Sequence, residues 1–238
     1  MNGEKSQKVI GILGGMGPYA TVMFMKNILD MTHAEKDWDH IHTVVDNNTQ
    51  IPSRSRAILY NEASPYEAML ASCEKLLSYP VDAIVVPCNS AIYWIKEIES
   101  RMMVPVFNPV DIAVRTIKDM HGCTKIVVLA GAVSYKTELY KNTVEKEGIE
   151  YIKIPYKLQS QIEEFIEKIK LTGSNEISKL QPQFSCVVDD IVKLTTADAI
   201  ILGCTEFTYF KDYDYVVPMV DSSYELALKT IEYAKGNL

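Results

Sequence analysis

The sequence predicts an α/β protein of two pseudo-symmetric lobes. Each is expected to be a parallel sheet flanked by helices, with the active site in the cleft between them. Three observations carry this. Short, wholly apolar runs alternate with segments of helical period, the pattern of strands covered on both faces. The second half of the chain repeats the order of the first. One offset, 116 residues, pairs Leu13 with Leu129, Gly15 with Gly131 and Cys88 with Cys204.

The elements follow in order. "KVIGILGG" (8–15) reads as a buried strand, and Pro18 opens a helix to about Met31, because proline suits a first helical turn. "HIHTVVDNN" (40–48) is a second strand. Residues 65–78 place Ala68, Leu70, Ala71, Leu76 and Leu77 near one helical face. "DAIVVPCN" is a third strand, a helix follows from about Ala91 to Met102, and "VPVFNPV" (104–110) is a fourth strand. In the second half, "TKIVVLAGAVSY" (124–135) is a strand and turn, followed by a helix through Tyr140 that stops at Gly148. "EYIKIPY" is a strand, 159–170 and about 184–195 are helices, "DAIILGCTE" (198–206) and "YVVPMVD" (215–221) are strands, and a last helix starts near Ser223. The expected lobes are 1–115, with 213–238 packing back on it, and 116–212, since chain ends tend to lie close together.

Composition narrows the partners. The 238 residues are 47% hydrophobic and carry a net charge of -7, enough for one sizeable core or two smaller ones. Such an acidic chain predicts no nucleic-acid partner and no anionic membrane surface. No run of about 18 apolar residues reads as a membrane span, and the first residues carry no signal-peptide pattern. A cytoplasmic location with reduced thiols is therefore expected. The five cysteines form no C-x-x-C and the four histidines no ligand pair, so no metal site is expected. Cys73, Cys123 and Cys186 read as small buried hydrophobes.

Cys88 and Cys204 read differently. "VDAIVVPCNSAIY" (81–93) lies over "ADAIILGCTEFTY" (197–209), with five of thirteen positions identical. Each thiol falls just past the carboxyl end of a strand, where parallel sheets bind ligands, and near a helix start, where the dipole favours a thiolate. Two such groups suit inversion of a carbon-bound stereocentre: one removes a proton, the other returns one to the opposite face. Asn89 and Ser90 beside one thiol, and Thr205 beside the other, are placed to hold a carboxylate, and Glu206 to receive an ammonium group. "GMGPYA" also matches the dinucleotide fingerprint G-x-G-x-x-A, but Asp46 lies further from Gly17 than the usual ~20 residues. A turn that admits substrate is the stronger reading.

"GGMGPYAT" (14–21), "NTQIPSRSRAIL" (48–59), "PCNSA" (87–91) and "GCTE" (203–206) together resemble the aspartate/glutamate racemase superfamily, closest to its aspartate racemase branch. The resemblance spans nearly the whole chain. It implies a cofactor-independent racemase of a small acidic amino acid, aspartate or glutamate, with Cys88 and Cys204 as the catalytic pair, working as a homodimer. Matching positions imply that Met16 and Gly17 border the substrate, and that Asn48, Gln50 and Arg54 reach it from the loop after the second strand. Arg54 offers a planar fork for a carboxylate, and Lys170 resembles a lysine facing the side-chain carboxylate. Three positions depart from the branch: Ser53 stands for an aspartate, Ile92 for a histidine, and Gly131 with Ser134 for two threonines. The alternatives are a single-cysteine decarboxylase or isomerase of the same superfamily, and a two-lobed protein that binds a small acid without turning it over.

Overall fold

Ile10–Gly14 form β1, and every one of the five residues is buried. The computed structural model to which this strand belongs describes residues 7–236. The chain divides into two compact units, passing from the first to the second at Pro109/Val110 and returning at Glu225/Leu226.

In the first unit β1 is followed by α1 (Pro18–Met31), β2 (Thr43–Asn47), α2 (Arg54–Tyr60), α3 (Tyr66–Leu77), β3 (Ala83–Val85), α4 (Ile92–Glu99) and β4 (Val106–Phe107). All strand pairs are parallel, in the order β2-β1-β3-β4. β2 sits at the sheet edge and is only half-buried, unlike β1 and β3. α3 turns Met69, Leu70, Cys73 and Leu76 inward.

The second unit contains α5 (Pro109–Asp119), β5 (Lys125–Leu129), α6 (Ala132–Lys136), α7 (Leu139–Lys146), β6 (Glu150–Tyr151), α8 (Tyr156–Thr172), α9 (Ile177–Thr195), β7 (Ala199–Leu202), β8 (Met219–Asp221) and the start of α10 (Ser222–Ala234). Its sheet is again parallel, in the order β6-β5-β7-β8. Phe184 of α9 stacks on Phe210 at 4.3 Å, and Phe165 of α8 meets Phe184 edge-on at 5.4 Å. Such pairs add to the burial of their own area.

The two sheets repeat to the residue. Ile10 pairs with Ala83 and Ile12 with Val85 in one; Ile126 pairs with Ala199 and Val128 with Ile201 in the other. All four pairs obey the offset of 116. Asp82 Oδ2 accepts the Val9 amide at 2.7 Å, and Asp198 Oδ2 accepts the Lys125 amide at 3.0 Å. These aspartates stitch the start of each third strand to its central neighbour. The end of α10 belongs to the first unit: the Lys8 amide donates to Ala234 O at 3.1 Å, and the Tyr233 hydroxyl to Asp82 O at 3.0 Å. Residues 213–225 lie in the second unit.

Several elements differ from the expectation. The fourth strand shrinks to two residues, because Pro109 has no N–H for a ladder and instead opens α5. The turn expected after β5 holds a short helix, α6, and Glu138, in the left-handed region at φ 51°, parts it from α7, the helix expected through Tyr140. α2 arises where a loop was expected. Ser53 caps it by accepting the Arg56 amide at 3.3 Å, and Asn61 ends it in a left-handed conformation. Cys186 is exposed on α9 and Cys123 partly so; only Cys73 of the three is a buried thiol.

Candidate active site

In the first unit β3 ends at Val85, and Cys88 follows in extended conformation, at φ -155° and ψ 105°. Its carbonyl accepts the Ala91 amide at 3.2 Å, which starts the 3-10 turn Asn89–Ala91 and then α4. The residue is 4% exposed, and its sulfur lies 3.5 Å from Ser90 Oγ. Asn89 is buried beside it.

The second unit repeats this construction. Cys204 is extended at φ -134° and ψ 132°, and its carbonyl accepts the Phe207 amide at 3.0 Å to start the 3-10 turn Thr205–Phe210. Gly203 before it donates its amide to Leu129 O at 2.8 Å. The Cys204 thiol donates to Glu206 Oε2 at 2.8 Å, and the Thr205 hydroxyl approaches the same oxygen at 3.4 Å. Ser90 and Glu206 are thus equivalent partners of the two sulfurs.

Charge separates the two sulfurs. Burial, followed by the Glu206 carboxylate, pushes the Cys204 thiol well above the ordinary cysteine range; Lys170 opposes this. Burial disfavours the charge on Lys170, but Glu206, Cys204 and Glu167 more than offset it and hold the ammonium above its usual value. Lys170 stands in the last turn of α8, in the field of both Glu206 and Cys204. Glu206, expected to meet an ammonium group, is engaged with the thiol.

The remaining expected residues fall in two sets. Around the end of β1, the Gly15 amide donates to Thr21 Oγ1 at 3.0 Å, and that hydroxyl donates to Gly17 O at 3.1 Å. Gly15 adopts φ +87°, and a Cβ there would lie 2.2 Å from Asn48 O, so only glycine fits. Met16 is buried, and at Gly17, the residue before α1, a Cβ would meet no described atom within 4 Å. Asn48 has a building role: it donates to Ser72 Oγ at 3.0 Å and accepts the Gln50 amide at 3.0 Å. Gln50 is exposed on this loop. Arg54 opens α2, which packs on the Cys88 turn. Its Nη1 donates to Pro52 O at 3.1 Å, while its buried Nε has no partner among the described residues. In the second unit Gly131 precedes α6 and Ser134 is buried within it.

The sequence reading missed what holds the Cys204 turn. The Thr208 hydroxyl donates to the buried Asp221 carboxylate, whose other oxygen accepts the Ser223 amide at 2.9 Å. Asp221 ends β8, and an acid closing the apolar run "VVPMVD" was the available signal. No group of acids, histidines or cysteines suited to a metal occurs among the described residues. No described helix is long and apolar enough to cross a membrane.

The profile of the Asp/Glu/hydantoin racemase family matches residues 13–227. The chain belongs to that family. This racemase is 29% identical, over 94% of its length and 96% of the relative's, to the broad specificity amino-acid racemase RacX of Bacillus subtilis (strain 168). The Picrophilus torridus aspartate racemase superposes with a TM-score of 0.81 at 28% identity, covering 95% of this chain and 94% of that one. Glutamate racemase from Francisella tularensis, solved with D-glutamate, shares the fold at a TM-score of 0.62 and 16% identity, over 98% of this chain and 83% of that one. The racemase is an isomerase of amino acids with the α/β fold of two parallel four-stranded sheets.

Proposed function

We propose that the protein racemises a small acidic amino acid, aspartate or glutamate, by proton transfer between its α carbon and the two thiols of Cys88 and Cys204, without a cofactor. The observation that supports this best is the duplicated sulfur site. Each cysteine is extended, each caps a 3-10 turn through its carbonyl, and each sulfur contacts the side chain two residues on. One thiolate takes the α proton while the other thiol delivers a proton to the opposite face, and the roles exchange with direction. General acid–base catalysis of this kind contributes roughly 10²–10⁴-fold. The amides of the two turns and Asn89 stabilise charge developing on the substrate carboxylate. Arg54, with its unpaired Nε, and Lys170 are the cations available for a second carboxylate.

Chiral chromatography after incubation with L-aspartate and L-glutamate tests this reading. The D enantiomer should accumulate until the two forms are equal. Failure with both substrates, while each thiol is intact, contradicts it. The unequal partners Ser90 and Glu206 favour a second reading, in which one thiol does the chemistry of a decarboxylase or isomerase. In that case Cys204→Ala keeps substantial turnover.

A further inference from the structure

The internal repeat supplies a control for the Cys204 turn. Ile84 and Ile200 occupy equivalent points of the two sheets, and their partners Val106 and Met219 are therefore equivalent too. Two residues on, Asn108 matches Asp221, and each immediately precedes a helix, α5 or α10. At the offset of 116, Ile92 matches Thr208. The first unit thus builds its cysteine turn with a buried isoleucine and, at the strand end, an asparagine. The second builds its own with a buried hydroxyl that donates to a buried carboxylate.

The second arrangement costs more. Burial raises the Asp221 carboxyl to about 6, although the Thr208 hydroxyl, the Ser223 and Tyr224 amides and Lys211 all lower it. The ionised group therefore costs the fold stability at neutral pH. Ile92 shows that a cysteine turn of this shape closes without such a pair. Features that break the rules of stable packing belong at functional sites. The contacts of this pair say what it does. The carboxylate is fixed: Asp221 Oδ1 accepts the Ser223 amide at 2.9 Å, and neighbouring Ser222 donates its hydroxyl to Leu202 O at 2.9 Å and is hydrogen-bonded to Tyr140. Thr208 lies on the 3-10 turn that the Cys204 carbonyl starts, through the Phe207 amide at 3.0 Å. The hydrogen bond from Thr208 to Asp221 thus ties the turn that carries the sulfur to an anchored point at the end of β8.

We propose that Thr208 and Asp221 are positioning residues for Cys204, holding its turn against the start of α10 so that the sulfur stays in place for proton transfer. This role rests on the racemase reading of Cys204. It belongs to one half of the repeat only, because Cys88 has no counterpart of this pair. A hydrogen bond to a carboxylate is stronger than one between neutral groups, and small displacements of a reacting group cost rate steeply.

The test compares Thr208→Val, which keeps the shape and loses the hydroxyl, with Thr208→Ser, which keeps the hydroxyl. Racemisation of L-aspartate and L-glutamate gives kcat and KM for each. Thr208→Val should lower kcat roughly tenfold or more and leave KM unchanged, since neither residue of the pair touches substrate. Thr208→Ser should restore kcat. In the same samples, iodoacetamide labelling of Cys204 and Cys88 is followed by peptide mass spectrometry. With its turn released, Cys204 should react roughly fivefold faster relative to Cys88 in Thr208→Val, and not in Thr208→Ser. Global unfolding exposes both thiols and does not imitate that ratio. Wild-type kcat in Thr208→Val, equal losses with valine and serine, a change in KM alone, or an unchanged labelling ratio overturns the positioning role. A raised ratio in a protein that racemises neither acid supports the hold on the Cys204 turn and overturns the racemase reading instead.

Discussion

The Cys204 thiol donates to Glu206 Oε2 at 2.8 Å, whereas at the equivalent position Cys88 Sγ lies 3.5 Å from the hydroxyl of Ser90. Two sulfurs related by an internal repeat therefore have chemically different partners. Burial favours the protonated thiol at Cys204, and the neighbouring Glu206 carboxylate adds to this. In the proposed two-thiol reaction this environment suits Cys204 to the role of proton donor.

Glu206→Gln removes a negative charge next to Cys204 and lowers the pKa of that thiol. The limb of the pH–rate profile that requires Cys204 as thiolate should move to lower pH. Lys170→Met removes the opposing cation and should move the same limb to higher pH. Profiles of kcat/KM measured from each enantiomer check both signs.

Cys88→Ala and Cys204→Ala should each lower racemisation in both directions by at least ~10³-fold, because inversion needs an acid and a base together. Chiral product analysis starting from each enantiomer checks this. Retention of rapid turnover by either variant supports a one-thiol reaction.

Asp221 holds the Cys204 turn through Thr208, and burial raises its pKa from 3.8 to about 6. The folded protein then binds more protons than the unfolded chain between these values. The contribution of Asp221 to stability is fully present below about 4 and is lost as pH rises through about 6. Two pKa units correspond to roughly 3 kcal/mol as an upper figure. Urea unfolding at several pH values should show this trend, and Asp221→Asn should flatten it.

A Cβ on Gly203 would lie 2.8 Å from Val128 Cγ1 and 3.0 Å from Tyr140 Cε2. Both side chains are buried. Gly203→Ala should therefore destabilise the second unit by about 1–3 kcal/mol. It should also lower activity by displacing Cys204. Thermal melting together with the racemisation rate measures the two effects.

Much of this was readable in the chain because the repeat was. The offset that aligned Cys88 with Cys204 also aligns the registers Ile10–Ala83 and Ile126–Ala199, since strands with the same apolar pattern bury the same faces. Asp82 and Asp198 were visible as identities, but their hydrogen bonds to Val9 and Lys125 were not, because partners more than 70 residues apart leave no local pattern. α2 escaped notice because a seven-residue helix with no buried residue shows too little apolar period, although Ser53 and Asn61 do mark its ends. The hydrogen bond from Cys204 to Glu206 was hidden because spacing alone does not tell which way a side chain two residues on will turn. Asp221 was missed for a related reason: its role depends on Thr208, a neighbour from a different element.

The most direct test follows deuterium during a single approach to equilibrium in D₂O, starting from one enantiomer of aspartate or glutamate. With separate thiols serving the two faces, newly formed product carries deuterium at its α carbon while the remaining substrate keeps protium at early times. Product that retains the original hydrogen, or substrate and product labelled at equal rates, contradicts the two-thiol account.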